Sequence, residues 1–296
     1  MKEPKRIFLY CDNLLGDFLM QTAALRGLRA KYPNAEVVYC TKDDSVSKPL
    51  VENCPAVDKV MTEMMGRMLR EKGDLWLNPS CVHAHSWAAT HGCNMTEAQC
   101  HLWDVPCDGL HYSLNVPDKA MEDAGQLIHA HNWRNIVVCG RHSSSCASND
   151  ARQNLPPNKC FPNREWVKVA QWLIDNGYMP LAVGSERDAE DERYREWPGA
   201  TLYGEDIMTI AAIQKLAALT ISVDTGIRHM AAAVGGNLYT ISGATHTSVV
   251  GCHPIPGAVS DWSRKEQKIV ERIIPPSLVR GEDLIEDLQN NFKIEE

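Results

Sequence analysis

The stretch ISVDTGIRHMAAAVGGNLYTISGATH, Ile221 to His246, constrains the fold more than any other part of the chain. The short apolar run Leu219–Val223 has the composition of a fully buried parallel strand. It breaks at Asp224-Thr225-Gly226, a helix of small residues follows over 229–234, and Gly235-Gly236 ends it. A second β-like run, 238–241, closes at Ser242-Gly243. Strand, tight polar turn, helix and strand make a βαβ unit, and in such units ligands gather at the carboxyl ends of the strands. Gly226 lets a ligand approach the backbone closely, and the N–H groups of the first helical turn favour an anion. Asp224 and Thr225 are candidates to cap that helix, with His229 one turn inside it. Taken alone, the segment fits a cap and a helix-face histidine as well as it fits a binding site.

The same rhythm recurs along the chain. Arg6–Tyr10 reads as a first buried strand, and a helix from about Gly16 to Lys31 carries Phe18, Thr22, Leu25 and Leu28 at helical spacing. Further strands are expected over 35–40, 57–61, 74–77, 135–139 and 179–183, with helices over 118–131, 164–176 and 206–218 between them. Strands alternating with helices predict an α/β fold of doubly wound, parallel type. At 296 residues there is room for two such domains. The composition shifts near Val116-Pro117-Asp118, and the boundary is expected near residue 130. That divides the chain into 1–129, 130–275 and a proline-led amphipathic helix over 276–296.

Composition excludes several classes. A net charge of −8 argues against nucleic acid as the main partner. No apolar run approaches the roughly 18 to 20 residues of a membrane span. The start, MKEPKRIFLYCDNLLGD, has basic residues but only a short apolar strand, unlike a signal peptide. A cytoplasmic protein is expected, with at most peripheral contact at the inner face of the membrane. Eleven cysteines in such a compartment read as reduced thiols. His83, His85, His91, Cys93, Cys100, His101 and Cys107 cluster in sequence, but without a C-x-x-C pair their spacing fits no standard zinc module. His83 and His85 follow a strand end, where residues that touch substrate often sit.

Three separated stretches form one pattern: LLGDFLMQTAALRGLRAKYPNAEV near the amino end, NKCFPNREWVKVAQWLIDNGY with LAVGSERD in the middle, and SVDTGIRHMAAAVGG near the end. Together they resemble glycosyltransferase family 9, whose best-known members are the ADP-heptose:lipopolysaccharide heptosyltransferases. The resemblance covers residues 6 to 246 and is hard to trace over 79–116. It implies a GT-B architecture, two Rossmann-like domains facing a central cleft. The first would bind the acceptor and the second the nucleotide-sugar donor, with the last helix crossing back to the first domain.

The resemblance also implies roles. Asp17 aligns with the catalytic base of the family's Gly-Asp motif, and a carboxylate there suits an acceptor hydroxyl that must lose its proton as it attacks. The bland alternative is a carboxylate placed in the first turn to suit the helix dipole. Lys159, in K-x-F-P, matches the lysine that contacts the donor diphosphate and would stabilise charge on the leaving group. The loop Arg141-His142-Ser143-Ser144-Ser145 follows a strand, and its hydroxyl and N–H groups, Ser143 and Ser144 among them, suit the same phosphates. Glu186, in V-G-S-E, matches the carboxylate that holds the nucleotide ribose. Asp224, Thr225, Gly226 and His229 match the family's D-T/S-G-x-x-H motif, on donor sugar and phosphate. Arg228 departs from the small or apolar residue usual there and is expected to add a phosphate contact, while helix starts near Thr225 and Asp206 offer N–H groups. SGATH stands where the family has a G-P-T-D-like sequence. His83 and His85 are the acceptor-side candidates.

The implied activity is inverting transfer of a sugar, heptose by resemblance, from ADP-heptose or another nucleotide-diphosphate sugar to a glycan or glycolipid. No metal and no cofactor is expected, since lysine and helix N-termini can neutralise a diphosphate and no paired carboxylates offer magnesium a site. Two alternatives share the architecture: a nucleotide-sugar epimerase or hydrolase, and a catalytically silent sugar-nucleotide-binding protein. A Rossmann dehydrogenase is disfavoured because residues 11–17 lack G-x-G-x-x-G.

Overall fold

The computed structural model describes residues 3–10, 14–42, 47–77, 81–141, 161–190, 196–242, 250–274 and 278–292. They form two compact units, Met1–Pro117 with Thr247–His253, and Asp118–His246 with Pro254–Glu296.

In the first unit the chain runs β1 (Arg6–Tyr10), α1 (Leu15–Lys31), β2 (Glu36–Thr41), α2 (Lys48–Glu52), β3 (Lys59–Thr62), α3 (Glu63–Leu69), β4 (Leu75–Leu77), α4 (Cys81–His91) and α5 (Met95–Leu102). The strands form one parallel sheet in the order β3-β2-β1-β4. Parallel pairing follows from the connections: each strand returns through a helix, which leaves the next strand pointing the same way. Helix α1 buries Phe18, Leu19, Leu25 and Leu28, and Phe18 meets Tyr39 of β2 edge to face at 5.5 Å. Gly27 lets residues 105–106 cross α1 closely, since a Cβ there would stand 2.2 Å from the Pro106 carbonyl oxygen. Arg26 ties the same segment down through Asp108 at 2.7 Å. The stretch from Pro79 to Asp108, which showed no clear periodicity, holds the two helices α4 and α5.

The second unit runs α6 (Asp118–Ala130), β5 (Ile136–Gly140), α7 (Asn163–Asp175), β6 (Met179–Gly184), α8 (Glu186–Ala189), β7 (Ala200–Tyr203), α9 (Ile207–Leu216), β8 (Leu219–Val223), α10 (Gly226–Ala233), β9 (Leu238–Ser242), β10 (Ile269–Ile273) and α11 (Gly281–Phe292). Its parallel sheet has the order β10-β9-β8-β5-β6-β7. Counted within the unit this is the 3-2-1-4-5-6 order of a dinucleotide-type fold, and the direction of winding reverses between β5 and β8. Strands β5, β8 and β9 are buried at every position, which is why they read as continuous apolar runs. Val137, Ile221, Val223, Tyr239 and Ile241 pack there with Trp166, Val169 and Leu173 of α7. Strands β7 and β10 escaped the periodicity reading. They are the edges of the sheet, half-exposed, and β10 (IVERI) carries a charged pair at its centre.

Two boundaries differ from expectation. Helix α6 closes the second unit and not the first: it packs on α9 through a face that includes Ala120 and Ala124, moving the division from residue 129 to Pro117. The last helix does not leave its own unit either. Gly281 donates its N–H to Glu165 Oε2 at 2.8 Å, Lys168 meets Glu282 at 2.9 Å, and Leu284 and Leu288 enter the core beside α7. Tyr239 and Arg272 both bind Asp287 on the same helix. The later segment that belongs with the first unit is Thr247–His253, where the Gly251 carbonyl accepts from Tyr112 Oη at 3.1 Å and Asn94 Nδ2 at 3.4 Å.

Candidate active site

In an open parallel sheet the ligand crevice lies at the carboxyl ends of the strands where the winding reverses. In the second unit that place is where the chain leaves the strand ends at Gly140 and Val223. Gly140 has no room for a side chain, since a Cβ would stand 2.5 Å from Ser222 Oγ and 2.9 Å from Ile227. The turn after β8 is therefore drawn hard against the end of β5. Thr225 caps α10, its Oγ1 accepting from the Ile227 N–H at 3.3 Å and lying 3.2 Å from Ser222 Oγ. Asp224 does not cap. Its Oδ1 stands 2.7 Å from an Arg228 nitrogen, one helical turn on, and both side chains are buried. His229 is buried beside them, with Nε2 3.3 Å from Arg228 Nε.

Two more strand ends complete this edge. Ser185 precedes the short helix α8 and donates its N–H and its hydroxyl to Asp188 Oδ2 at 2.7 and 2.8 Å, which leaves Glu186 at the first helical position and exposed. Its stem lies against Gly204, beyond β7, where a Cβ would come within 2.5 Å of Glu186 Cγ. Gly204 holds φ at +74°, a left-handed conformation that costs a residue with a Cβ roughly 1–2 kcal/mol. Arg141, just past β5, is fully buried: it donates to Tyr203 Oη at 2.6 Å and Asn163 Oδ1 at 3.3 Å, and its guanidinium stacks 4.2 Å from the Trp197 ring centre. Burial raises the Tyr203 phenol pKa, and Arg141 opposes that shift.

The first sheet, ordered β3-β2-β1-β4, has the equivalent reversal between β1 and β4. Helix α1 follows β1 and carries Asp17 in its first turn, part-buried; α4 follows β4 and begins at Cys81. The two meet: burial, and then the Asp17 charge, push the Cys81 thiol up to about 11. Asp17 thus faces a group that stays protonated throughout the neutral range. Among the described residues, no group of three or more His, Cys, Asp or Glu side chains is placed to hold a metal ion.

The family profile described as glycosyltransferase family 9 (heptosyltransferase) matches residues 80–271, well over half of the chain. The chain belongs to glycosyltransferase family 9. Solved structures agree on the fold. It is similar to a family 9 glycosyltransferase from Veillonella parvula, with a TM-score of 0.76 at 15% identity over 100% of this chain and 99% of that one. It is similar to the ADP-heptose lipopolysaccharide heptosyltransferase II of Escherichia coli, at 0.69 and 17%, over 97% and 98%. An Escherichia coli heptosyltransferase solved with ADP gives 0.59 and 15%, over 97% and 99%. No curated protein matches the sequence. The GT-B fold expected of a family 9 member is the fold found, and the protein is a glycosyltransferase. Among the described residues no helix is long and apolar enough to cross a membrane.

For this family 9 chain the sequence motifs lie as follows. Glu186, Asp224, Thr225, Gly226 and His229 stand on the carboxyl edge of one sheet, while Asp17 belongs to the other unit. Ser143, Ser144 and Lys159 lie outside the described residues, as does SGATH from Gly243 on. His83 and His85 are on α4, exposed, and at a two-residue spacing they do not share a helix face. Two expectations are corrected. Arg228 is not an open phosphate contact, because its guanidinium is buried against Asp224. The helix start near Asp206 is likewise occupied, its Oδ1 taking the N–H groups of Met208 and Thr209 at 2.9 and 3.1 Å. Sequence reading missed Cys81 as the neighbour of Asp17 and Arg228 as the partner of Asp224. The second was within reach, since an aspartate and an arginine four residues apart at a helix start are spaced to pair.

Proposed function

We propose that the protein is an inverting, metal-independent transferase that takes its sugar from ADP-heptose and delivers it to a hydroxyl of a glycan or glycolipid on the cytoplasmic side of the membrane. The second unit holds the donor and the first holds the acceptor. Asp17 removes the proton of the acceptor hydroxyl. The acceptor oxygen bonds to the anomeric carbon from the face opposite the diphosphate. The bond from that carbon to the phosphate oxygen breaks, and the nucleoside diphosphate leaves with the electron pair. Lys159, Ser143 and Ser144 meet the charge that grows on the leaving group, together with the Asp224–His229 turn. Glu186 accepts from the ribose hydroxyls, and His83 and His85 stand on the acceptor side.

One observation carries this reading: Glu186 and the Asp224–His229 turn, the described residues that match the family's donor motifs, fall on the carboxyl edge of a 3-2-1-4-5-6 sheet, at and beside its point of reversal. A ligand that binds only the native state raises its melting temperature, so a panel of ADP-, UDP-, GDP- and dTDP-sugars tests it. ADP-heptose is expected to give the largest shift, without added metal. A shift confined to another nucleotide would replace the donor. A shift that needs one divalent ion and vanishes with chelator would overturn metal independence.

A further inference from the structure

Arg228 is where this chain departs from its family's motif, and it is fully buried. One terminal nitrogen lies 2.7 Å from Asp224 Oδ1, the other donates to Ser242 Oγ at 2.6 Å and stands 3.7 Å from Glu271 Oε1 of β10. Its Nε lies 3.3 Å from His229 Nε2. The charged and titratable groups that the described residues bring to this guanidinium are thus Asp224, His229 and Glu271. A guanidinium stays protonated at any pH a protein survives, and it has donors only. Its Nε–H must therefore donate, and the imidazole nitrogen it faces must present a lone pair. An imidazole with a bare Nε2 is neutral and keeps its proton on Nδ1. Protonating Nε2 would set two N–H groups and two positive charges against each other, with both carboxylates already engaged by the arginine.

We infer that Arg228 is a positioning residue that fixes His229 as the neutral Nδ1–H tautomer and Asp224 as a carboxylate. The ring then carries one N–H, on Nδ1, in place of an imidazolium. What His229 donates to rests on the donor site proposed above. Its tautomer does not.

The test is long-range nitrogen–proton correlation spectroscopy of the histidine rings in the full chain, with His229 assigned by its loss in H229Q. The expected spectrum shows Nδ1–H and no titration from about pH 5 to 8, although an unconstrained histidine titrates near 6.5. In R228K the ammonium keeps a charge for Asp224 but has no planar fork. There His229 is expected to mix tautomers and titrate near its ordinary value, and nucleotide-sugar affinity is expected to change about tenfold across that titration, a dependence the parent chain lacks. An Nε2–H tautomer or an imidazolium at pH 6 in the parent chain overturns the inference, whatever the variant does. So does an R228K spectrum identical to the parent's. The expected tautomer in a chain that binds no nucleotide sugar would overturn the donor reading and leave the role of Arg228 standing.

Discussion

The two units each place an aspartate where the winding of a parallel sheet reverses, and they treat it in opposite ways. Asp224 is buried and locked to a guanidinium at 2.7 Å. Asp17 is part-buried and faces a thiol that is neutral below about pH 11. A carboxylate held by a permanent cation is a poor proton acceptor, because taking a proton means giving up the ion pair. The Cys81 thiol, protonated and hydrogen-bonded to Asp17, offers that carboxylate a neutral donor. The same residue type at equivalent places thus meets a permanent cation in one sheet and a protonated thiol in the other, and the base proposed above is the second of the two.

The comparison breaks most visibly if the two aspartates are exchanged in role. Asp17→Asn is expected to lower single-turnover transfer by about 10²–10⁴, the usual scale for losing a general base, with donor affinity and unfolding midpoint almost unmoved. Loss of donor binding with an intact transfer rate would remove Asp17 from the chemistry. Asp224→Ala is expected to act on the fold instead. It removes the nearest carboxylate from a buried arginine, leaving Glu271 at 3.7 Å, and should cost about 3 kcal/mol in denaturant unfolding. A cost below about 1 kcal/mol would mean the pair is not the anchor described here.

Smaller effects sharpen the picture at the donor edge. Gly204→Ala puts a Cβ at a φ of +74° and against the Glu186 stem, and is expected to cost about 1–2 kcal/mol of stability. It should also weaken nucleotide binding, measured by calorimetry, since Glu186 must move. Unchanged affinity would separate Glu186 from the ribose.

The mildest test is alkaline pH. Burial pushes the thiols of Cys40, Cys54 and Cys81 from an ordinary 9.0 up to about 11, and that of Cys139 to about 12. A group whose folded pKa is raised contributes its full stability below the unfolded pKa and loses it as pH rises through the folded one. Buried Tyr203 shifts in the same direction. Thermal midpoints are therefore expected to hold steady up to about pH 8.5 and to fall between about 9 and 11. A midpoint that rises over that interval would contradict the burial of these thiols.

By itself the sequence determined the class of fold and the family. Fully buried strands such as NIVVC and LTISV announce themselves as apolar runs, and the turn after β8 shows its glycine, hydroxyl and carboxylate within three residues. The family motifs around Asp17, Glu186 and Asp224 are local in the same way, each lying on a strand end and the helix start that follows it. Tertiary structure decided what depends on distant partners. Edge strands β7 and β10 are half-exposed, so their composition resembles that of loops. Helix α11 is held in its own unit by a hydrogen bond from Gly281 to Glu165, 116 residues away. Arg228 reads in sequence as a free cation for phosphate, and it is buried because strands β9 and β10 bring Ser242 and Glu271 alongside Asp224. Local periodicity records which faces are buried. Which charge meets which is fixed only when the sheet assembles, because it depends on contacts that no short window of sequence contains.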